Sequence, residues 1–356
     1  MLYEINEKVI TLRRQGKSII NFNVGDPDQA TPPAIVQAAY DAMVAGQTKY
    51  GSSAGAMPLR ERLAERYAVE PANVIVTPGS KWAIYSIIHL LLRDGGNLVI
   101  PSPHWSSYEL IAREVGAELR LLKGDLDSHW AIDVEGLQSL LDDETRLIIL
   151  NNPNNPTSKV LDRRNVQALV DVANERQIPI LSDETYADIS FTPVKNILEY
   201  TGNHIFVNSF SKTFAMTGWR IGFAILDRAL VEKLVAFNQI SISNVPLFLQ
   251  AAAVKALDLM DDIAHTMREI YRRRAELACS LLADTKLQFT KPDAPFYLFP
   301  RCDVDAEELA FDLLDRGVAV VPGTAFGDYN TYFRISLTNP DDAIQRGLET
   351  IAAAFK

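Results

Sequence analysis

The stretch NSFSKTFAMTGWRIGFAI, residues 208–225, places Lys212 between hydroxyl-bearing and apolar side chains, with Arg220 eight positions further on. Burial and a nearby cation both disfavour the charged form of a lysine, so an amine in such surroundings gives up its proton more easily. An uncharged lysine amine is a nucleophile and forms a Schiff base with an aldehyde. The stretch therefore predicts a reactive amine at Lys212.

Three other polar loops follow apolar runs, and they are TPGSK at 77–81, NNPNNPT at 151–157 and SDETY at 182–186. Ligands of open parallel sheets bind where the carboxyl ends of the strands meet, so we expect these loops to lie beside Lys212 at one rim of a sheet. In the first loop, Gly79, Ser80 and Lys81 lead into a helix, and the positive end of a helix suits a phosphate group. The loops therefore predict an anion site next to the amine.

Each of these residues also has an ordinary explanation when it is taken alone. Gly79 and Ser80 suit the N-cap of a helix. Asp183 suits a cap that closes a loop, Asn155 suits a turn, and Arg220 would usually form a surface ion pair. Together with the reactive amine, however, they fit pyridoxal phosphate, an aldehyde cofactor that carries a phosphate group and needs an acid at its pyridine nitrogen.

Seven short apolar runs alternate with helical patterns through the middle of the chain. They begin at Asn73, Asn97, Leu119, Arg146, Ile178, His204 and Arg220. Continuous apolar strands separated by amphipathic helices are typical of a mainly parallel sheet with helices on both faces. The pattern predicts an α/β fold with about seven strands in one sheet.

The last third of the chain has a different pattern. After residue 225 it is helical to about residue 282, and shorter strand-like pieces then follow, with a helical segment between them. We expect a smaller α+β domain here, joined to the α/β domain by a long helix because no hydrophilic linker separates the two. The expected division is an N-terminal arm and part of the small domain at 1–40, a large cofactor-binding α/β domain at 41–270 and a C-terminal small α+β domain at 271–356.

The composition indicates a globular protein that binds neither nucleic acid nor a membrane. The chain has 356 residues, 47% of them hydrophobic, and a formal net charge of −10, which repels polyanions. The basic run YRRR at 271–274 is interpreted as a solvated helix face. Cys279 and Cys302 are too few for a disulfide framework and lack metal-ligand spacing, so we expect reduced thiols and no metal site. Without an apolar signal-peptide region or a run that could span a bilayer, a cytoplasmic location is expected.

Several motifs together resemble those of fold-type I pyridoxal-phosphate enzymes, in particular the class I and II aminotransferases of the aspartate, alanine and aromatic group. The motifs are NVGDPDQATPP at 23–33, NNPNNPT at 151–157, SDETY at 182–186, SFSKTFAMTGWRIG at 209–222 and YFRISLTN at 332–339. They occur in the family's order and cover nearly the whole chain. The resemblance implies the fold-type I architecture, in agreement with the α/β pattern.

The resemblance also implies roles on the cofactor side. Lys212 is expected to hold pyridoxal 5′-phosphate as a Schiff base and then to move a proton from the substrate Cα, while Asp183 keeps the pyridine nitrogen protonated. Asn155 and Tyr186 are expected to donate hydrogen bonds to the cofactor's O3′, and Trp105 to stack on its ring. The phosphate is expected to lie in a cup formed by Gly79, Ser80, Lys81, Ser209, Ser211 and Arg220.

On the substrate side, Arg334 is expected to bind the α-carboxylate through a bidentate pair, a geometry that lysine does not offer. Gly25 is expected to leave room beside that carboxylate, and Trp105 and Asn155 to border the substrate. Taken alone, Arg334 would be a surface residue and Gly25 a turn glycine. Tyr50 is expected to reach the phosphate of a neighbouring subunit, which implies a symmetric homodimer with shared active sites; a lone exposed tyrosine is the alternative.

Two positions depart from the family pattern. Ser158, in NPTS, stands where the family usually has a turn glycine, so the sequence does not determine the backbone conformation at this turn. Trp82 replaces a smaller or polar residue after the phosphate loop, and it either alters the pocket or only packs.

The expected activity is a ping-pong transamination, in which an L-amino acid gives its amino group to a 2-oxo acid. A lyase that performs β- or γ-elimination on the same fold is an alternative, although an arginine that holds the carboxylate favours transamination. A non-catalytic, DNA-binding regulatory module is a second alternative, which the acidic charge and the lack of a basic helix-turn-helix pattern disfavour. The donor remains open among aspartate, alanine, aromatic and branched amino acids.

Overall fold

The computed structural model describes the backbone of residues 2–356 and the side chains of residue 5 and residues 7–356. In this part of the chain the helices are α1 (Leu2–Arg14), α2 (Pro33–Val44), α3 (Met57–Tyr67), α4 (Ser80–Leu92), α5 (Ser106–Glu114), α6 (Val134–Leu140), α7 (Arg163–Glu175), α8 (Phe210–Thr213), α9 (Arg228–Ser241), α10 (Leu247–Asp258), α11 (Met260–Leu282), α12 (Ala306–Asp315) and α13 (Asp341–Ala354). The strands are β1 (Ile20–Asn21), β2 (Val74–Thr77), β3 (Asn97–Ser102), β4 (Glu118–Lys123), β5 (Thr145–Asn151), β6 (Ile180–Asp183), β7 (His204–Ser209), β8 (Gly222–Ile225), β9 (Tyr297–Leu298), β10 (Val318–Ala319), β11 (Val321–Pro322) and β12 (Phe333–Ser336).

Strands β2 to β8 form one seven-stranded sheet in the order β2-β8-β7-β6-β5-β3-β4. The strands from β7 to β4 in this order are parallel to their neighbours. Strand β8 is antiparallel to both β2 and β7. The predicted α/β fold with a mainly parallel sheet of about seven strands is therefore confirmed.

The sheet is buried on both faces because its strands supply two hydrophobic cores at once. In β5, Ile148 and Leu150 belong to one core, and Leu147 and Ile149 belong to the other. Side chains of α3, α7 and α10 complete the first core, and those of α4, α5 and α9 complete the second. Successive side chains of a strand point to opposite faces, so the run LIIL packs helices on both sides.

A third core lies outside the large sheet. It contains Ile5 from α1, Leu313 from α12, Phe333 from β12 and Leu348 from α13. Strand β1 pairs in parallel with β10, so the beginning of the chain packs with its last third. This core therefore contains residues from both ends of the chain, and the predicted division into domains, with boundaries at 40 and 270, stays a prediction.

Helix α11 contributes side chains to two of these cores. Met260, at its start, packs in the first core of the large sheet, whereas Ala275, Ala278 and Leu282 pack in the third core. Among the helices of residues 2–356, none combines the length and the apolar character that crossing a bilayer requires.

Candidate active site

A cavity of about 310 Å³ opens where β5, β6 and β7 end. It is lined by several of the predicted site residues, namely Gly25, Ser80, Trp105, Asn155, Asp183, Tyr186, Lys212 and Arg334. The other predicted residues lie outside its lining, namely Tyr50, Gly79, Lys81, Ser209, Ser211 and Arg220. The rim of the sheet thus brings together residues that are far apart in the sequence, and their roles stay predictions.

Lys212 lies on the short helix α8, directly after β7, and its Nζ donates a 2.5 Å hydrogen bond to the carbonyl oxygen of Gly25. Burial is the main cause that lowers the pKa of Lys212 to about 8. The carboxylate of Asp26 acts in the opposite direction, and the cations of Arg334 and Arg220 lower the pKa further. An amine with such a pKa exchanges its proton near neutral pH, as the sequence predicts for this residue.

Asp183 ends β6 and is buried. Its Oδ2 accepts a 2.9 Å hydrogen bond from the hydroxyl of Tyr108, and its Oδ1 accepts from the hydroxyl of Thr185 at 2.6 Å. Burial raises the pKa of Asp183, and the hydrogen bonds from Thr185 and Tyr108 oppose that rise. The two hydroxyls therefore help a buried carboxylate to keep its charge.

Arg334 lies on β12 and is buried beside the cavity. Its Nη1 donates to Asn155 Oδ1 at 2.9 Å, and its Nη2 donates to the carbonyl oxygen of Asn23 at 2.5 Å. Its Nε has no hydrogen-bond partner among the described residues. A buried guanidinium with an unsatisfied donor is suited to bind an anion that enters the cavity.

Two aromatic rings lie close to this guanidinium. The ring centre of Tyr297 lies 4.4 Å from Arg334 Cζ, and that of Phe326 lies 4.9 Å away. The hydroxyl of Tyr297 lies 3.1 Å from that of Tyr186. A Cβ on Gly25 would overlap the hydroxyl of Tyr297, so any larger residue at this position would displace the tyrosine.

The predicted phosphate loop is built around close backbone approach. Gly79 has φ of 80° and precedes α4, and a Cβ there would overlap the guanidinium of Arg220. A Cβ on Gly222 would come within 2.7 Å of the backbone of Gly79 and Ser80. The start of α4 and the Arg220 guanidinium therefore converge on one spot, where both the helix dipole and the cation favour an anion.

One predicted strand start in this region is wrong. Arg220 does not begin a strand, because its φ of 56° ends a 3₁₀ turn and β8 begins at Gly222. The left-handed backbone leaves the side chain free of the sheet, and Arg220 Nη1 donates to the carbonyl oxygen of Thr217 at 2.7 Å. The turn thus directs the guanidinium toward Gly79 rather than into a strand.

The remaining predicted cup residues lie close to this spot. Ser209 Oγ donates a 2.7 Å hydrogen bond to Ser211 Oγ, and both side chains are buried at the start of α8. Lys81 points toward Trp105, whose ring centre lies 4.7 Å from its Nζ. Partial burial and the charge of Arg220 lower the pKa of Lys81.

Tyr50 lies away from the cavity of its own chain. Its side chain is 88% exposed, and it borders a surface groove together with Leu247 and Phe248. Tyr50 therefore does not contribute to the cavity of its own chain. This position is compatible with the predicted role of Tyr50 in the site of a neighbouring subunit, which stays a prediction.

The two departures from the family pattern have clear positions. Ser158 adopts φ of 54°, the left-handed conformation that a turn glycine would take, and it is fully buried. Trp82 packs near Phe237, and its Nε1 donates to Asn238 Oδ1 at 3.0 Å, so it does not line the cavity.

Sequence reasoning missed eight residues that line the cavity, namely Asn23, Val24, Ser106, Tyr108, Asn151, Thr185, Tyr297 and Phe326. Thr185 lies in the motif SDETY two positions after Asp183, and Tyr108 lies three positions after Trp105, so hydroxyls close in sequence to predicted site residues were an available signal. Tyr297 and Phe326 lie in apolar segments that carry no such signal.

The chain matches the family model for aminotransferase class I and II over residues 17–351. It is 37% identical over 350 residues to an aspartate aminotransferase of Thermococcus kodakarensis, and the match covers 98% of this chain and 91% of the relative. It is 32% identical over 368 residues to aromatic-amino-acid aminotransferase 2 of Thermococcus litoralis, covering 98% and 95% of the two chains. A solved double mutant of Thermus thermophilus aspartate aminotransferase superposes with a TM-score of 0.96 at 30% identity, covering 100% of this chain and 96% of that one.

Proposed function

This chain belongs to the class I and II aminotransferases and is a transaminase, and from that premise we propose that its cavity binds pyridoxal phosphate for a ping-pong exchange between an L-amino acid and a 2-oxo acid. One observation carries the proposal: the amine of Lys212, the carboxylate of Asp183 and the guanidinium of Arg334 line the same cavity. When bound, the cofactor supplies an aldehyde that captures amines and a ring that accepts negative charge from the substrate Cα.

The residues of the site fit a phosphate group. Gly79 and Gly222 leave no space for a Cβ, so the backbone at the start of α4 can approach a ligand closely. Arg220 adds a cation at the same place, and Ser209 and Ser211 add hydroxyls. This combination of backbone N–H groups, a helix end and a guanidinium is the usual chemistry of a phosphate site.

The residues also fit a protonated pyridine ring. Asp183 would face the ring nitrogen, and Tyr108 and Thr185 would hold the carboxylate in place. Asn155 accepts from Arg334 through its amide oxygen, so its amide nitrogen would be the donor to the cofactor. Tyr186 would donate from the same side of the cavity.

Lys212 would move the proton of the reaction. Its pKa of about 8 lies close to neutral pH, so the amine can accept a proton from the substrate Cα and then donate that proton to a second carbon atom. Arg334 would orient the substrate by binding the α-carboxylate, and the rings of Tyr297 and Phe326 would keep water away from that ion pair.

The names of the relatives guide the choice of substrates. Several of them are aspartate aminotransferases, and one is an aromatic-amino-acid aminotransferase. L-Aspartate is therefore the first donor to assay, L-phenylalanine the second, and 2-oxoglutarate the first acceptor.

A homodimer with shared active sites is part of the proposal. Helix α2 exposes apolar side chains at Val36, Tyr40, Met43 and Val44, and Tyr50 is exposed nearby in the sequence. Exposed apolar patches of this kind are typical of subunit interfaces. A two-fold contact through this face would place Tyr50 of each chain near the phosphate site of the other.

A cytoplasmic location is likewise proposed. Cys279 and Cys302 are both free thiols, as expected in a reducing compartment.

Borohydride reduction of the cofactor-loaded protein, followed by peptide mapping, tests the assignment. We expect a pyridoxyl adduct on Lys212 and loss of the visible aldimine band near neutral pH in Lys212→Ala. Stoichiometric 2-oxo acid from a single turnover supports transamination, whereas ammonia release would indicate a lyase. A label on another residue, or an unchanged spectrum in the variant, would refute the proposed site.

A further inference from the structure

Ser158 occupies a position that is costly for a serine. It follows the turn at 151–157, its N–H donates to the carbonyl oxygen of Asn154 at 2.8 Å, and its φ is 54°. Residues with a Cβ are disfavoured in this left-handed region, whereas glycine adopts it readily. The side chain is fully buried, so an interaction with solvent does not offset the cost.

The hydroxyl of Ser158 has a specific partner. Ser158 Oγ accepts a 2.9 Å hydrogen bond from the backbone N–H of Tyr297. Tyr297 begins β9, which is the edge strand of the sheet ordered β11-β12-β9. A buried N–H at a strand edge needs an acceptor, and a glycine at position 158 would provide none through a side chain.

Tyr297 is central to the site that the hydrogen bond stabilises. Its ring packs against the guanidinium of Arg334, and its hydroxyl contacts the hydroxyl of Tyr186. The same hydroxyl lies where a Cβ of Gly25 would lie. A shift of the Tyr297 backbone would therefore move the ring that holds Arg334 in place and the hydroxyl that borders Gly25.

Other contacts hold the neighbouring segment without the hydroxyl. The backbone N–H of Asp293 donates to the carbonyl oxygen of Ser158 at 2.9 Å, and Lys159 Nζ lies 2.5 Å from the Asp293 carboxylate. The backbone N–H groups of Phe191 and Thr192 both donate to the carbonyl oxygen of Asp293. Loss of the Ser158 hydroxyl should consequently loosen Tyr297 while the segment stays attached.

We infer that Ser158 is a positioning residue: its hydroxyl fixes the backbone of Tyr297, and through Tyr297 it holds Arg334 in the geometry that binds the substrate carboxylate. The inference rests on the proposed function of the cavity. It gives a physical reason for a serine at this turn, since the hydrogen bond to β9 offsets the cost of the left-handed backbone.

Two substitutions distinguish the effect of the Ser158 hydroxyl from the effect of the left-handed backbone at this position. Ser158→Ala removes the hydroxyl and keeps the Cβ, whereas Ser158→Gly removes both and relaxes the strained φ. If the hydroxyl acts through Tyr297, both variants should raise KM for the amino donor by about fivefold, which corresponds to one ordinary hydrogen bond, while kcat stays within about twofold of wild type. The exchange of the Tyr297 amide hydrogen should accelerate by about the same factor in both variants.

A double-mutant cycle tests the route of the effect. Tyr297→Ala removes the ring that packs beside Arg334, and Ser158→Gly combined with it should raise KM by less than the product of the two single effects, because the hydroxyl is inferred to act through that ring; a full product of the two effects would contradict this route.

The inference is overturned if KM and amide exchange are unchanged in both Ser158 variants. It is also overturned if Ser158→Ala alone is impaired, because the backbone conformation would then be the cause. If Ser158→Ala does not fold, Ser158→Gly decides alone. Failure of wild-type protein to transfer an amino group would refute the proposed function, whereas amide exchange would still decide whether the hydroxyl holds Tyr297.

Discussion

Replacing Lys212 with methionine tests the electrostatics of the cavity through protein stability. In the cofactor-free protein, burial lowers the pKa of Lys212 from its ordinary 10.5 to about 8. The folded state then binds this proton less tightly than the unfolded chain does, so burial of the charged amine destabilises the folded state. This destabilisation is complete below pH 8 and disappears as the pH rises from 8 to 10.5. At 1.36 kcal/mol per pKa unit, the difference between the two values corresponds to about 3 kcal/mol.

Methionine has a similar length and no charge, so the folded state of Lys212→Met is not destabilised by a buried charge. It also loses the hydrogen bond from Nζ to the Gly25 carbonyl oxygen, which contributes about 1 kcal/mol. We therefore expect the variant to be more stable than wild type by about 2 kcal/mol at pH 7 and less stable by about 1 kcal/mol above pH 10.5. The sign of the stability difference should change between these pH values.

Urea unfolding of the cofactor-free proteins at a series of pH values, with equal protein concentration, measures this difference. Lys233→Met is a matched control, because Lys233 is exposed on α9 and outside the cavity. The control should show no comparable dependence on pH. A stability difference between Lys212→Met and wild type that is constant from pH 7 to 10.5, or a variant that is less stable at pH 7, would refute the lowered pKa of Lys212.

Three further substitutions address the charges and the assembly of the site. Tyr108→Phe removes a donor to the buried carboxylate of Asp183, and kcat/KM should fall by about tenfold to a hundredfold, most strongly at low pH where the acid is more easily protonated; an unchanged acid limb of the pH profile would contradict this role. Arg334→Lys should raise KM for amino donors by at least about tenfold with a smaller change in kcat, since lysine cannot form the bidentate pair; equal KM values would exclude carboxylate binding at this position. Mixing Tyr50→Phe with Lys212→Ala under conditions of subunit exchange should give more activity at limiting cofactor than the average of the two separate proteins, because the mixed dimer contains one intact site; activity at the average would argue against shared sites.

The fold and the position of the reactive groups could be predicted from the sequence because each depends on a short local pattern. Runs such as LIIL and IFV are short and apolar at every position, which is typical of a strand that is covered on both faces. The polar residues that follow them then lie at the carboxyl ends of the strands. Asp183 lies two positions after the run IPIL, and Lys212 lies five positions after the run IFV. Their meeting in one cavity therefore depends on the order of the strands in the sheet, which brings the ends of β6 and β7 side by side.

Contacts between distant segments could not be predicted in the same way. Tyr297 and Phe326 lie in apolar segments whose pattern is satisfied by packing alone, and nothing local indicates that their rings flank Arg334. Ser158 breaks a turn pattern, but its reason lies in Tyr297, which is 139 positions further along the chain. The apolar neighbours of Arg220 predict a strand, whereas a left-handed turn places its side chain beside Gly79.

The two arginines that we propose as anion-binding residues, Arg334 and Arg220, also affect the pKa of Lys212. Arg334 and Arg220 both lower the pKa of Lys212, so in the absence of anions they favour its uncharged, nucleophilic form. A carboxylate bound at Arg334 neutralises one of these cations and thereby removes part of its effect on the lysine. The amine should then hold a proton more readily when the substrate carboxylate is in place, which is when proton transfer is required. In the proposed site, one set of cations therefore both recognises the substrate and adjusts the basicity of Lys212 to its presence.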